Sequence, residues 1–363
     1  MNDEVNHARF LSAYEKELEF FYHKIGVKAV KTIFFGGGTP SLMPIPLVAG
    51  ILNKISKLWK IEDDCEISLE ANPTSSESAK FQALRSCGIN RISIGIQALN
   101  DADLKFLGRE HSSEEAIKTI EIAAKIFDNF SFDLIYARPK QSLESWSHEL
   151  SRAIAFGTKH LSLYQLTIEK GTKFFSQYSQ KKFEMPDENL AAEFYEMTNQ
   201  ITSDAGFNFY EISNYAKDTK FCRHNLAYWQ GDNYIGIGAG AHSRIYFDTG
   251  SRDAVMMLHD PMTWLKKVEE TNCGIQKIDK ISETELLEEL ILMGLRLLEG
   301  ISSEIFYPHF QKNLEEIFDF QKLQILANQG LIELTTDKIK VAKPFRILTN
   351  QVIQKVIVCL IKK

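Results

Sequence analysis

Apolar residues recur at helical spacing over residues 6–25, where Phe10, Leu11, Tyr14, Leu18, Phe21, Tyr22 and Ile25 share one face. A β-rich run at 30–35 follows and stops at Gly36-Gly37-Gly38-Thr39-Pro40. Helical periodicity resumes at 45–59. A strand at 65–69 then runs into Glu70-Ala71-Asn72-Pro73. The same alternation predicts a helix near 77–87, a strand at 91–96 ending at Gln97, and helices at about 101–107 and 113–126. Next come a strand at 131–136, a helix near 144–156, a strand at 160–166, a helix at 187–205 and a strand at 207–212.

Six strands, each separated from the next by helix, require parallel crossovers and hence an α/β sheet or barrel. Polar or glycine residues stand where these strands end: Gly36 to Thr39, Glu70, Gln97, Asp133, Gln165 and Glu211. In a parallel βα fold those ends share one rim, where such folds build ligand sites. Residues 213–250 break the rhythm, being rich in aromatics, Gly, Asn and His. Long irregular stretches of that composition are functional more often than disordered. From about 255 the pattern turns helical. Ser282 to Glu285 form a capping box, and Gly300 and Gly330 are natural stops. A hairpin near 331–342 and a last helix at 349–361 complete a winged-helix-like module. The expected division is 1–250 and 251–363.

A length of 363 residues suits two or three domains, and 44% apolar residues provide a sizeable core. The net charge of −6 gives no pull toward nucleic acid. Residues 250–363 hold 15 basic and 16 acidic side chains, so the winged-helix-like module lacks the basic face of a DNA reader. No apolar run is long enough to span a membrane, and the first ten residues do not resemble a signal peptide, which leaves at most peripheral membrane association. The five cysteines, Cys65, Cys87, Cys222, Cys273 and Cys359, are at least 22 residues apart. They form no CxxC pair and suit a reducing, cytoplasmic setting.

Several residues carry candidate chemistry. The triple glycine is neither a Walker loop nor a dinucleotide turn, but its bare backbone admits close approach of a ligand. Gly236 to Ala241 match GxGxxA without the helix that should follow, and read as a tight small-residue turn. Glu70, Gln97, Arg109 and Asp133 suit a small zwitterion bearing a ribose, since arginine grips carboxylates and the acids accept from ammonium or hydroxyl groups. His224-Asn225-Leu226-Ala227-Tyr228-Trp229 combines a metal-ligand type with flat aromatic area. Taken alone, His224 reads more readily as a hydrogen-bonded packing residue than as a ligand, and Cys222 is a weaker alternative as a soft ligand.

The ordered set FFGGGTPSL, ISLEANP, RISIGIQALND, LGREHS, FDLIYARPKQS, LSLYQLTIEKGT, YEISNYA and HNLAYWQGDNYIGIGAGAHS resembles the radical S-adenosylmethionine proteins related to oxygen-independent coproporphyrinogen III oxidase. Its HNxxYW segment is similar to that of their haem-chaperone branch. The resemblance implies a partial (β/α)6 barrel and a C-terminal mainly helical domain. It implies S-adenosylmethionine contacts at Gly37, Gly38, Thr39, Glu70, Gln97, Arg109 and Asp133. It also implies haem contact at His224, Tyr228 and Trp229, with His224 as the iron ligand. The implied role is haem binding and delivery to respiratory haemoproteins, compatible with a homodimer. Radical decarboxylation of coproporphyrinogen III is the enzymatic alternative. The family holds a 4Fe–4S cluster on a CxxxCxxC loop, which these 363 residues do not contain. Relative to that pattern the first barrel strand is missing too. The otherwise intact site residues favour a missing N-terminal segment over an evolved cluster-free function.

Overall fold

A computed structural model describes residues 6–247 and 251–361. Its largest sheet has strands β1 (Ala29–Phe35), β2 (Lys60–Ala71), β3 (Arg91–Gln97), β4 (Asn129–Tyr136) and β5 (His160–Gln165), all parallel and adjacent in chain order. β6 (Asn208–Glu211) and β7 (Asn214–Ala216) complete it in the order β1-β2-β3-β4-β5-β7-β6. The sixth expected strand is therefore present but lies at the edge. The three-residue β7, within the stretch read as irregular, inserts antiparallel between it and β5. So short a hairpin arm has too few residues to show a period.

One face of the sheet is apolar and is covered by helices. Ile92, Ile94, Phe132, Leu134, Leu161 and Leu163 are buried beneath helices Phe81–Ser86, Ser113–Ile126, Leu143–Ala155 and Glu188–Asp204. The other face is polar: Glu66, Ser68 and Glu70 alternate on β2, Arg91 and Ser93 on β3, Ser131 and Asp133 on β4, and His160 and Ser162 on β5. Strand pairing aligns Ser68 with Arg91, Glu70 with Ser93, Ser93 with Ser131, and Asp133 with Ser162. A period of two places each set on one side, so the concave interior of the curled sheet is lined with hydrogen-bonding groups.

Helix His7–Ile25 packs with helices Ile45–Leu58 and Pro261–Thr271 in a second apolar cluster around Phe21, Trp59 and Trp264. An antiparallel sheet of β8 (His242–Ile245), β9 (Arg252–Met257) and β10 (Ile275–Ile281) joins it. The expectation of helices alone from about 255 is corrected here: β9 runs to Met257 and β10 follows helix Pro261–Thr271, and β10 is exposed over Gln276–Lys280, which erases the apolar alternation. A third core begins at Leu286 and includes Ile291, Phe306, Phe318 and Ile353. The capping box of Ser282 and Glu285 opens helix Glu283–Gly294, as expected. A small sheet of β11 (Ile301–Ser302), β12 (Ile332–Leu334) and β13 (Lys338–Val341) gives the module its winged-helix-like form.

Candidate functional site

The loop after β1 is shaped by its glycines. Gly37 and Gly38 have φ of 79° and 64°, and a Cβ on either would point into open space. A Cβ on Gly36 would instead lie 2.4 Å from the Phe34 ring. Phe34 thus lies against the loop backbone only because residue 36 lacks a side chain. The Glu70 carboxylate accepts the Gly37 N–H at 3.2 Å, tying the ends of β1 and β2 together. Thr39 accepts from the Asn72 amide at 3.4 Å.

Further along the rim, β3 bulges before Gln97, whose backbone has φ of 73°. That region is rare for a non-glycine residue, and holding it costs about 1–3 kcal/mol, the type of strain that gathers at ligand sites. His111 is buried and hydrogen-bonds the Ile96 carbonyl at 3.1 Å, which pins the loop carrying Arg109 behind the same strand end. Arg109 faces Asp133 electrostatically. Burial pushes Asp133 up to about 6 and raises Glu70 above its ordinary range, while burial lowers Arg109. Two carboxylates whose ionised forms are disfavoured, beside an arginine and an open backbone loop, are the expected signature of a site for a cationic or hydroxylated ligand. Gly37, Gly38, Thr39, Glu70 and Gln97 stand at this one rim with Arg109 in the loop beyond it, whereas Asp133, expected at a strand end, lies within β4 on the interior face below them. Gln165 and Glu211 have structural partners: Gln165 donates to the Ala191 carbonyl, and Glu211 accepts from Asn214 and Ser213.

His224 sits across Phe34 from the glycine loop. The two rings are parallel with centroids 4.2 Å apart, and Tyr228 meets His224 edge-on at 4.8 Å. The short helix Arg223–Trp229 brings His224 and Tyr228 to one side, four residues apart. Trp229 lies beneath the Arg296 guanidinium at 5.7 Å, contacting the C-terminal module. Burial, and secondarily Arg91, lower His224 to about 4, so its imidazole is neutral at physiological pH. A neutral imidazole is the form that ligates a metal. Among the described residues the hydrogen bond His224 makes is from its backbone N–H to Glu66, not from its ring.

Glu66 and Arg91 did not stand out in the sequence. The buried Glu66 carboxylate accepts the backbone N–H of Arg223 at 3.3 Å and of His224 at 3.1 Å, and the Cys222 thiol at 3.6 Å. Arg91, 2% exposed, stands 3.8 Å from the same carboxylate. The start of the HNLAYW segment is therefore fixed to the barrel interior. The visible signal was the polar alternation of β2, in a strand whose parallel setting leads one to expect continuous apolar residues.

The described residues offer no set of three thiols together for a 4Fe–4S cluster. Cys222 and Cys65 are each pushed up to about 11 by burial, whereas cluster iron binds thiolates. No group of three or more His, Cys, Asp or Glu suited to a metal ion occurs among the described residues. The rim offers a bare Gly37-Gly38 backbone and two buried acids, Glu70 and Asp133, chemistry suited to a small cationic or hydroxylated ligand.

Residues 8–152 match the radical SAM superfamily and residues 281–343 the HemN C-terminal domain. The chain is 40% identical to mouse "Radical S-adenosyl methionine domain-containing protein 1, mitochondrial" over 85% of its own length and 71% of that protein. It is 33% identical to "Heme chaperone HemW" of Haemophilus influenzae, covering 95% of this chain and 87% of that one. The structure of coproporphyrinogen III oxidase HemN from Escherichia coli superposes with a TM-score of 0.77, over 98% of this chain and 84% of the other, at 20% identity. That likeness shows the fold. The chain belongs to the radical S-adenosylmethionine family, in its HemW-type branch.

Proposed function

We propose that this protein is a haem chaperone: it binds haem against His224, Tyr228 and Trp229 and passes it to haem-accepting respiratory proteins. The observation that carries this reading is the setting of His224. Its ring is clamped between Phe34 and Tyr228 and is held neutral by burial. A metal-ligating imidazole is useful when its orientation is set in advance, and Glu66 sets it through the His224 backbone. The names of the Haemophilus influenzae and Bacillus subtilis relatives support the same role.

The glycine-loop rim is proposed as an S-adenosylmethionine site. Gly37, Gly38 and Thr39 would line the amino-acid part, and Glu70, Asp133, Arg109 and Gln97 its charged and hydroxyl groups. Bound there, the group supplies an activated sulfonium; what this chain contributes is orientation of the ligand. The proposal includes a division into domains 1–250 and 251–363, a reducing compartment and a homodimer. The five cysteines are free, as suits the cytoplasm or the mitochondrion named for the mouse relative. No described helix is long and apolar enough to cross a membrane.

Titration of the purified protein with haem tests this reading. The expected result is a saturable Soret shift, with His224→Ala weakening affinity by about tenfold or more and moving the band. Absence of a shift in the wild type would overturn the proposal, as would an unchanged spectrum in His224→Ala.

A further inference from the structure

Beside the HNLAYW helix is a cavity of about 240 Å³, lined by Tyr228, Tyr234, Arg244, Arg252, Glu289 and Met293 among others. It lies where β8 and β9 meet helix Glu283–Gly294. Arg252 is 1% exposed, and its Nε and Nη1 have no hydrogen-bond partner among the described residues. Only Nη2 is engaged, donating to the Asp232 carbonyl at 2.7 Å.

Both nearby acids are shared with other cations, and neither hydrogen-bonds the Arg252 guanidinium through its carboxylate. Glu289 accepts both its hydrogen bonds from Arg244 Nε, at 3.0 and 3.2 Å, and its Oε1 is 3.8 Å from Arg252 Nη1. The Asp232 carboxylate faces Lys31 at 4.0 Å. Nε and Nη1 are buried without a hydrogen bond, which is costly, and the 3.8 Å ion pair with Glu289 offsets only part of that cost; either nitrogen, together with the second Nη2 hydrogen, forms a fork that a carboxylate matches bidentately. The remaining wall, Leu290, Leu292 and Met293, is apolar. Methylene groups next to a carboxylate would suit that wall.

Tyr228 connects this cavity to His224. Its ring centroid is 4.8 Å from His224 on one side and 4.4 Å from Tyr234 on the other. A flat ligand seated at His224 is therefore one side chain away from the cavity. We infer that the cavity receives a carboxylate-bearing side arm, a propionate, of the porphyrin bound at His224, with Arg252 as its anchor. This rests on the haem-binding reading and adds to it a carboxylate subsite outside the HNLAYW segment.

The inference is tested by comparing haem with its dimethyl ester, whose propionates are uncharged, by Soret titration in the same detergent. The wild type should bind haem about tenfold to a hundredfold more tightly than the ester. Arg252→Gln should abolish that preference while leaving the band position set by His224. Met293→Trp, which fills the cavity and leaves Arg252 in place, should do the same and guards against misfolding of the first variant. Arg252→Lys should restore part of the preference. Equal binding of haem and ester by the wild type would overturn the inference and leave the haem-binding reading standing. Retention of the preference by a folded Arg252→Gln protein would do likewise. A wild type that binds neither would overturn both.

Discussion

Asp133 carries its carboxylate in a place that favours the protonated form. Desolvation outweighs its hydrogen bond from Ser162 and the pull of Arg91 and Arg109, and the nearby Glu70 charge adds to the cost. Its folded value of about 6 lies above that of an unfolded aspartate, about 3.9. Between these values the folded chain binds more protons than the unfolded one. Stability from this residue is therefore greatest below about pH 4, falls as pH rises through the window, and levels off above about pH 6. Asp133→Asn removes the charge, and should stabilise the ligand-free protein by about 2–3 kcal/mol at pH 7. Below pH 4 the gain should vanish. Denaturant unfolding at the two pH values measures this; equal effects at both would show that the charge is not the cause. The same substitution should weaken S-adenosylmethionine binding, measured by calorimetry, because the group that destabilises the empty rim is the one assigned to the ligand.

On the scale of single elements, β2 does two jobs. Its apolar side chains Leu69 and Ala71 enter the helix-covered core, and Glu66, Ser68 and Glu70 face the interior. Glu70 fastens the glycine loop, and Glu66 fastens the HNLAYW helix. Glu66→Gln keeps the volume but leaves Arg91 charged and buried without its counter-ion. Breaking such a pair costs about 3 kcal/mol, and the haem affinity of the variant should fall with it. Glu62→Gln is the control. It alters an ion pair 4.0 Å long on the half-exposed side of Arg223, and should change stability by less than about 0.5 kcal/mol. Matching thermal shifts in the two variants would remove Glu66 from this role. The parallel order of β1 to β5 was legible because helices separate the strands in the sequence. Glu70 and Gln97 were legible as polar groups at strand ends, and Asp133 only as a carboxylate inside the apolar run 132–136, which lies within β4 and not at its end. Glu66, Arg91 and His160 were not, because an interior polar side chain within a strand looks in sequence like any solvent-facing position. Only the curl of the sheet makes that face an interior. The insertion of β7 was hidden for a different reason: its position depends on the hairpin with β6, and Asn214-Tyr215-Ala216 alone specifies no partner.

At the scale of the whole molecule, the parts are joined by a few buried polar contacts between distant segments. Glu17, on the N-terminal helix, is the clearest. Its carboxylate accepts the N–H of Gly238 at 2.8 Å, the N–H of Gly274 at 2.7 Å and the Trp264 indole N–H at 3.0 Å. One side chain thereby holds helix His7–Ile25 to the GIGAGA turn, to helix Pro261–Thr271 and to the start of β10. The turn permits this because it is made of small residues: a Cβ on Gly236 would meet the His242 carbonyl at 2.1 Å. Glu17→Ala would leave these three N–H donors, and the weaker Cys273 thiol at 4.0 Å, unsatisfied, at a cost of at least about 3 kcal/mol. In Glu17→Gln the oxygen can keep Gly274 and Trp264, but the amide N–H groups then oppose that of Gly238, so the loss should be intermediate. Amide exchange separates this mechanism from a general loss of packing. Gly238 and Gly274 should lose protection in Glu17→Ala more than Ile92 or Leu161 in the large sheet do. A uniform loss across those positions would mean that Glu17 stabilises the chain only globally and does not join these segments specifically.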